Sequence, residues 1–143
     1  MIRLFALLLL TAAAYAQTPF TCPVTQPPGE AKQFVYGTPK LSVNLTRGPW
    51  DMLIQSPTGR FRLKLGWFSE NYVWDKGPKP QLTITGRRLD AAAAPLVFEG
   101  ANIGYIQEKG SFIASVSELP TAGCWEILGH LDGTDLRFVA QVN

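Results

Sequence analysis

The 143-residue chain carries one histidine, His130, with Asp132 and Asp135 just beyond it. In a nucleophile, histidine and carboxylate site this imidazole would have to be the base, since no second one exists. The Gly-x-Ser-x-Gly pattern that sets a serine on a strained turn is absent. His130 also adjoins Asp132-Gly133, a turn signal in which aspartate serves the backbone as readily as it serves chemistry. The expectation is a surface histidine and no enzyme activity. Zinc needs about four nitrogen or sulfur ligands at close spacing, which one histidine and two widely separated cysteines do not supply. Asp90 with Glu99, or Asp132 with Asp135, lack the ligand spacing of a calcium loop. No acidic pair stands out for glycoside hydrolysis. The run Gly100-Ala101-Asn102-Ile103-Gly104 has neither the strand-to-helix context nor the terminal lysine of a phosphate loop. No metal and no cofactor are expected.

Two features suit binding better. Trp67, Phe68, Tyr72 and Trp74 place four aromatics within eight positions, and Tyr72 with Trp74, where the chain turns, would form a platform for sugar rings or a protein partner. The competing reading, which we favour, is that they cap the open end of the core. Arg60, Arg62 and Lys64 form a basic stripe that would meet an acidic partner, or would stay solvated and discourage edge pairing. Asn44-Leu45-Thr46 fits a glycosylation sequon and is treated as chance.

Residues 1–16 read as an export leader, with Arg3, an apolar run and Ala14-Tyr15-Ala16 as cleavage site. The apolar stretch is too short for the roughly 20 residues of a membrane span. Thirteen Lys+Arg face 11 Asp+Glu, and losing Arg3 leaves 12 against 11, too little excess to drive nucleic-acid or membrane binding. In an exported chain Cys22 and Cys124 imply one disulfide. Closing a loop of about 100 residues would stabilise the fold by roughly 4 to 5 kcal/mol on the chain-entropy model.

The elements that must position these groups are short strands. Residues 17–33 form a proline-rich arm, with Pro19, Pro23, Pro27 and Pro28, and residues 34–143 the domain. Phe34 to Tyr36, Leu41 to Leu45 and Met52 to Gln55 are expected strands. In Arg60 to Trp67, Phe61, Leu63, Leu65 and Trp67 alternate with Arg60, Arg62 and Lys64, giving a core face and a charged face. Leu82 to Leu89 starts with Leu82 and Ile84 inward, and Gly86 suggests a bulge that turns Arg88 outward. Val97 to Glu99 is a short strand before a loop at Gly100 to Gly104. In Phe112 to Leu119 the apolar set is Phe112, Ala114 and Val116. Trp125, Ile127, Gly129 and Leu131 face inward and meet Leu136, Phe138, Ala140 and Val142 across an Asp132-Gly133 hairpin. That register turns Cys124 outward, so its bond to Cys22 would strap the arm over the outside or edge of the sheet. Breaks at about ten-residue intervals point to an all-β antiparallel sandwich.

The run Leu119-Pro120-Thr121-Ala122-Gly123-Cys124-Trp125-Glu126-Ile127, with Leu136 to Val142, resembles the end of bacterial immunoglobulin-like domains. With Trp67-Phe68 and Thr85-Gly86-Arg87-Arg88-Leu89-Asp90, the chain resembles small exported bacterial proteins of that type over about residues 34 to 142. The resemblance implies an immunoglobulin-like β-sandwich and carries no catalytic residues. The expected function is a noncatalytic module of the envelope or extracellular space acting by surface contact. The alternatives are a carbohydrate-binding module using Tyr72 and Trp74, and an inhibitor of an exported hydrolase.

Overall fold

The computed structural model describes residues 18–29, 33–50, 54–73, 75, 79–108 and 110–143. The expected leader lies outside the described residues, and so does Trp74. Among the described residues there is no helix, and the strands are β1 (Gln33–Thr38), β2 (Leu41–Thr46), β3 (Ile54–Gln55), β4 (Phe61–Phe68), β5 (Thr83–Arg88), β6 (Val97–Ile106), β7 (Gly110–Leu119), β8 (Gly123–Leu131) and β9 (Thr134–Val142). They form two antiparallel sheets packed as a sandwich. The larger runs β1-β2-β4-β7-β6 with β3 also on β4, and the smaller runs β5-β8-β9. β2 and β3 share one edge of β4, at Ser42 to Phe68 and at Ile54 to Arg62 respectively. Between them the chain leaves that sheet, and Trp50 makes a parallel bridge to Val142 of the smaller one.

Period-two alternation fills the space between the sheets. Leu41, Val43 and Leu45 of β2, Leu63, Leu65 and Trp67 of β4, Trp125, Ile127 and Leu131 of β8, and Phe138, Ala140 and Val142 of β9 are all buried. The Phe138 ring lies 6.2 Å from Trp50 and 6.1 Å from Trp67, tilted against both. Trp67 also packs on Gly129, where any Cβ would overlap its ring. Each large side chain buried this way contributes about 1.5–3 kcal/mol. Exposed ion pairs contribute about 0–1 kcal/mol each, so the core sets the stability.

Three expectations are corrected by packing. β5 pairs with β8 in unbroken register from Thr83 opposite His130 to Arg88 opposite Trp125, with no bulge at Gly86. The glycine instead admits Leu96, whose side chain would stand 3.0 Å from a Cβ there. The bulge falls in β6, between Phe98 and Gly100. β6 itself runs on to Ile106, because Gly104 is not a loop residue but the seat of the Phe112 ring on the outer face. On β7 the inward set is Ile113, Ser115, Ser117 and Leu119, not Phe112, Ala114 and Val116. This facing buries Ile113 and Leu119 completely, and the buried indole N–H of Trp67 donates to the Ser115 hydroxyl at 2.9 Å.

The β8–β9 hairpin forms as expected, with Asp132 and Gly133 both at positive φ, 48° and 75°, as a type I′ turn requires. Cys22 and Cys124 are bonded across a separation of 102 residues. Cys124 alternates with the inward Trp125 and is nonetheless completely buried, because the arm lies over it. Thr25 then pairs with β9: its N–H donates to the Val139 carbonyl at 2.9 Å, and its Oγ1 accepts from the Val139 N–H at 2.8 Å. Trp50 N–H donates to the next outward carbonyl, Gln141, at 2.8 Å. Arg47 fastens the arm further on by donating to the carbonyls of Pro27 and Gly29. Arm and β2–β3 connection together cover an edge that would otherwise template another chain.

Candidate binding surface

The basic stripe is largely neutralised. On the outer side of the larger sheet Arg62 pairs with Glu99 of β6 at 2.9 Å and Arg60 with Glu118 of β7 at 3.7 Å, while Lys64 is exposed. β6 and β7 bring the carboxylates alongside, which spacing within one strand does not reveal. Beside the stripe lies a shallow depression of about 320 Å³ lined by Arg62, Lys79, Glu99 and Asn102, among others. Tyr72 is half-buried against the core, and its hydroxyl is buried without a hydrogen-bond partner. Burial accordingly raises its pKa above the usual 10.0. Its ring serves packing first. At the same end of the sandwich Ile103, Tyr105 and Ile106 of β6 are exposed, as is Val73 in the β4–β5 connection.

Arg88, Asp90, Thr121, Gly123 and Cys124 form a structural clasp. The Arg88 guanidinium lies over Gly123, which stands at φ 137° and has no room for a side chain. It donates to both Asp90 carboxylate oxygens, at 2.7 and 3.3 Å, and to Thr121 Oγ1 at 3.3 Å. Asp90 Oδ1 also accepts the Cys124 N–H at 3.2 Å. The hydrogen bond from Arg88 holds the Asp90 carboxyl below its ordinary range against the opposing effect of burial. These contacts fix the corner that bears the disulfide.

The outer face of the smaller sheet carries Arg87, Glu126, Arg137, His130 and Asp135. Its registers set Arg87 beside Glu126, Thr85 beside Leu128 and Arg137, and Thr83 beside His130 and Asp135. Glu126 Oε1 accepts from Arg87 Nε at 2.8 Å and from Arg137 Nη1 at 2.7 Å. The carboxylate is tucked beneath, its side chain 16% exposed, while those of Arg87 and Arg137 are 70% and 56% exposed. The Arg87 hydrogen bond leads in pulling the Glu126 pKa below its ordinary value, burial opposes it, and the Arg137 charge adds to it. A depression of about 260 Å³ opens here, lined by Thr85, Gly86, Arg87, Glu126, Leu128 and Arg137. Sequence reading passed over this group because its members are single charges at alternate positions of three strands.

His130 Nδ1 lies 2.5 Å from Asp135 Oδ1, with the two side chains 51% and 63% exposed. Thr83 is the register partner of His130 on its other flank. Hydroxyl, imidazole and carboxylate thus share a row on an open sheet face. Among the described residues no group of three or more His, Cys, Asp or Glu could hold a metal ion, and no helix is long and apolar enough to cross a membrane. Compared with protein-family models, curated proteins and solved structures, the chain matches none.

Proposed function

We propose that this protein is a noncatalytic, exported module of immunoglobulin-like type that acts by surface contact in the periplasm or outside the cell. The observation that carries the reading is the strand arrangement. β2, β4, β7 and β6 follow the A-B-E-D order of immunoglobulin constant domains, and β5, β8 and β9 follow C-F-G. Trp67 and Gly129 meet between β4 and β8, the strands that the antibody disulfide joins. The Cys22–Cys124 bond serves the arm instead, and it suits an oxidising compartment. The charged pairs described above lie on open sheet faces.

The test is to express the full chain with its leader and assay the released product. The expected result is a chain starting at Gln17 that turns over no generic esterase, glycosidase or peptidase substrate. Turnover abolished by His130→Ala would overturn the noncatalytic reading, and a chain retained in the cytoplasm would overturn export. A second reading, inhibition of an exported hydrolase, is favoured by the exposed Val73, Ile103, Tyr105 and Ile106. It predicts that charged substitutions of Ile103 and Tyr105 abolish inhibition of a secreted protease.

A further inference from the structure

We propose that the outer face of the smaller sheet binds an oxyanion between Arg87 and Arg137, with Glu126 as a positioning residue beneath them. The other arginine–carboxylate contacts described above, Arg60 with Glu118, Arg62 with Glu99 and Arg88 with Asp90, pair one guanidinium with one carboxylate. Here two guanidiniums converge on one carboxylate oxygen, so these three residues together carry a formal charge of +1. Holding two like charges that close is unfavourable unless further negative charge shares the site. A guanidinium has five N–H donors, and the contact with Glu126 takes one from each arginine.

Both arginines line the 260 Å³ depression, whose lining also includes Leu128 and the exposed Thr85. An oxyanion is the ligand that guanidinium forks match, through paired N–H contacts to its oxygens. The apolar patch at Leu128 and the Thr85 hydroxyl suit a small hydroxylated body behind the anionic group, such as a single sugar acid. Asp135 lies two residues from Arg137 on the same face, in contact with His130, and its carboxylate works against an anion there. Glu126 holds the guanidiniums in place before a ligand arrives, which limits the ordering cost of binding.

The inference rests on reading the protein as a surface-contact module, and its test is separate from the enzyme and export assays. Isotope-labelled protein with the disulfide intact is titrated at low ionic strength with D-galacturonate, acetate, sulfate, phosphate and D-galactose, following the arginine Nε–H and backbone amide resonances. The expected result is saturable shifts at Arg87, Arg137, Thr85 and Leu128 with the anions and none with galactose. Arg137→Gln and Arg87→Gln should each weaken binding about tenfold, equivalent to ~1.4 kcal/mol. Glu126→Gln should weaken it too, despite adding net positive charge, and tighter binding by this variant would deny Glu126 its positioning role. Galacturonate tighter than acetate would assign the ligand as a sugar acid, whereas sulfate or phosphate tightest would assign an ester of those acids. Equal, unsaturable shifts at Arg60 and Arg62 would mean general ionic screening and would overturn the site. A blank titration with no enzyme activity would sink this site alone and leave the module reading standing.

Discussion

Trp67 donates its indole N–H to the Ser115 hydroxyl at 2.9 Å, with both side chains sealed from water in the middle of the larger sheet. Ser115 in turn reaches the Leu65 carbonyl at 3.4 Å. Two positions along, the Ser117 hydroxyl is equally buried and has no partner. Two serines of one face thus carry opposite energetic signs. Ser115→Ala strands a buried donor and should cost about 1–3 kcal/mol, whereas Ser117→Ala removes an unsatisfied group and should be neutral or stabilising. Urea unfolding of the two variants checks this, and equal losses would contradict it.

Gly129→Ala should destabilise by about 1–3 kcal/mol through overpacking, because the added methyl would overlap the Trp67 ring. Tryptophan fluorescence should report the shifted ring. An unchanged melting temperature and spectrum would show that the sheets do not meet there.

The clasp and the charged face predict a defined acid response. Arg88 holds Asp90 below its ordinary 3.8, and Arg87 with Arg137 holds Glu126 below its ordinary 4.5. Carboxyls depressed in the folded state bind fewer protons there than when unfolded. Their contribution is therefore whole above about pH 5 and is lost as pH falls through the folded-state values, below about pH 4. Asp90→Asn should lower stability at pH 7 and flatten the acid limb of a plot of stability against pH. An acid limb as steep as that of the parent protein would contradict this assignment.

The double variant Cys22→Ala with Cys124→Ala should lose about 4–5 kcal/mol on the chain-entropy model. With the arm released, the outward groups of Val139 lose Thr25, and a bare edge recruits other chains. Sedimentation should show concentration-dependent association of the variant and none for the parent. A monomeric variant would deny the arm its role as an edge cover.

Much of the fold was legible because alternation in strands such as Arg60 to Trp67, and turn chemistry at Asp132-Gly133, act locally. The outward direction of Cys124 followed from the same alternation. Glycine misled where it served packing: Gly86 reads as a bulge and Gly104 as a loop, yet each makes room for a neighbour, Leu96 or Phe112, that arrives from elsewhere in the chain. Polarity misled on β7, where Ser115 lies on the inward face with the fully buried Ile113 and Leu119 and gives the Trp67 indole an acceptor. The charged face stayed hidden for a related reason. Arg87, Glu126 and Arg137 are ordinary outward residues until strand pairing brings them together.

The central structural claim is that a disulfide-held arm closes the β9 edge of a two-sheet sandwich, and amide hydrogen exchange at Val139 tests it most directly. With the bond intact, the Val139 N–H should be protected by Thr25 Oγ1, 2.8 Å away. On reduction under conditions that keep the sandwich folded, it should exchange much faster while amides within the β8–β9 ladder stay protected. Equal Val139 exchange in the oxidised and reduced proteins would contradict the claim.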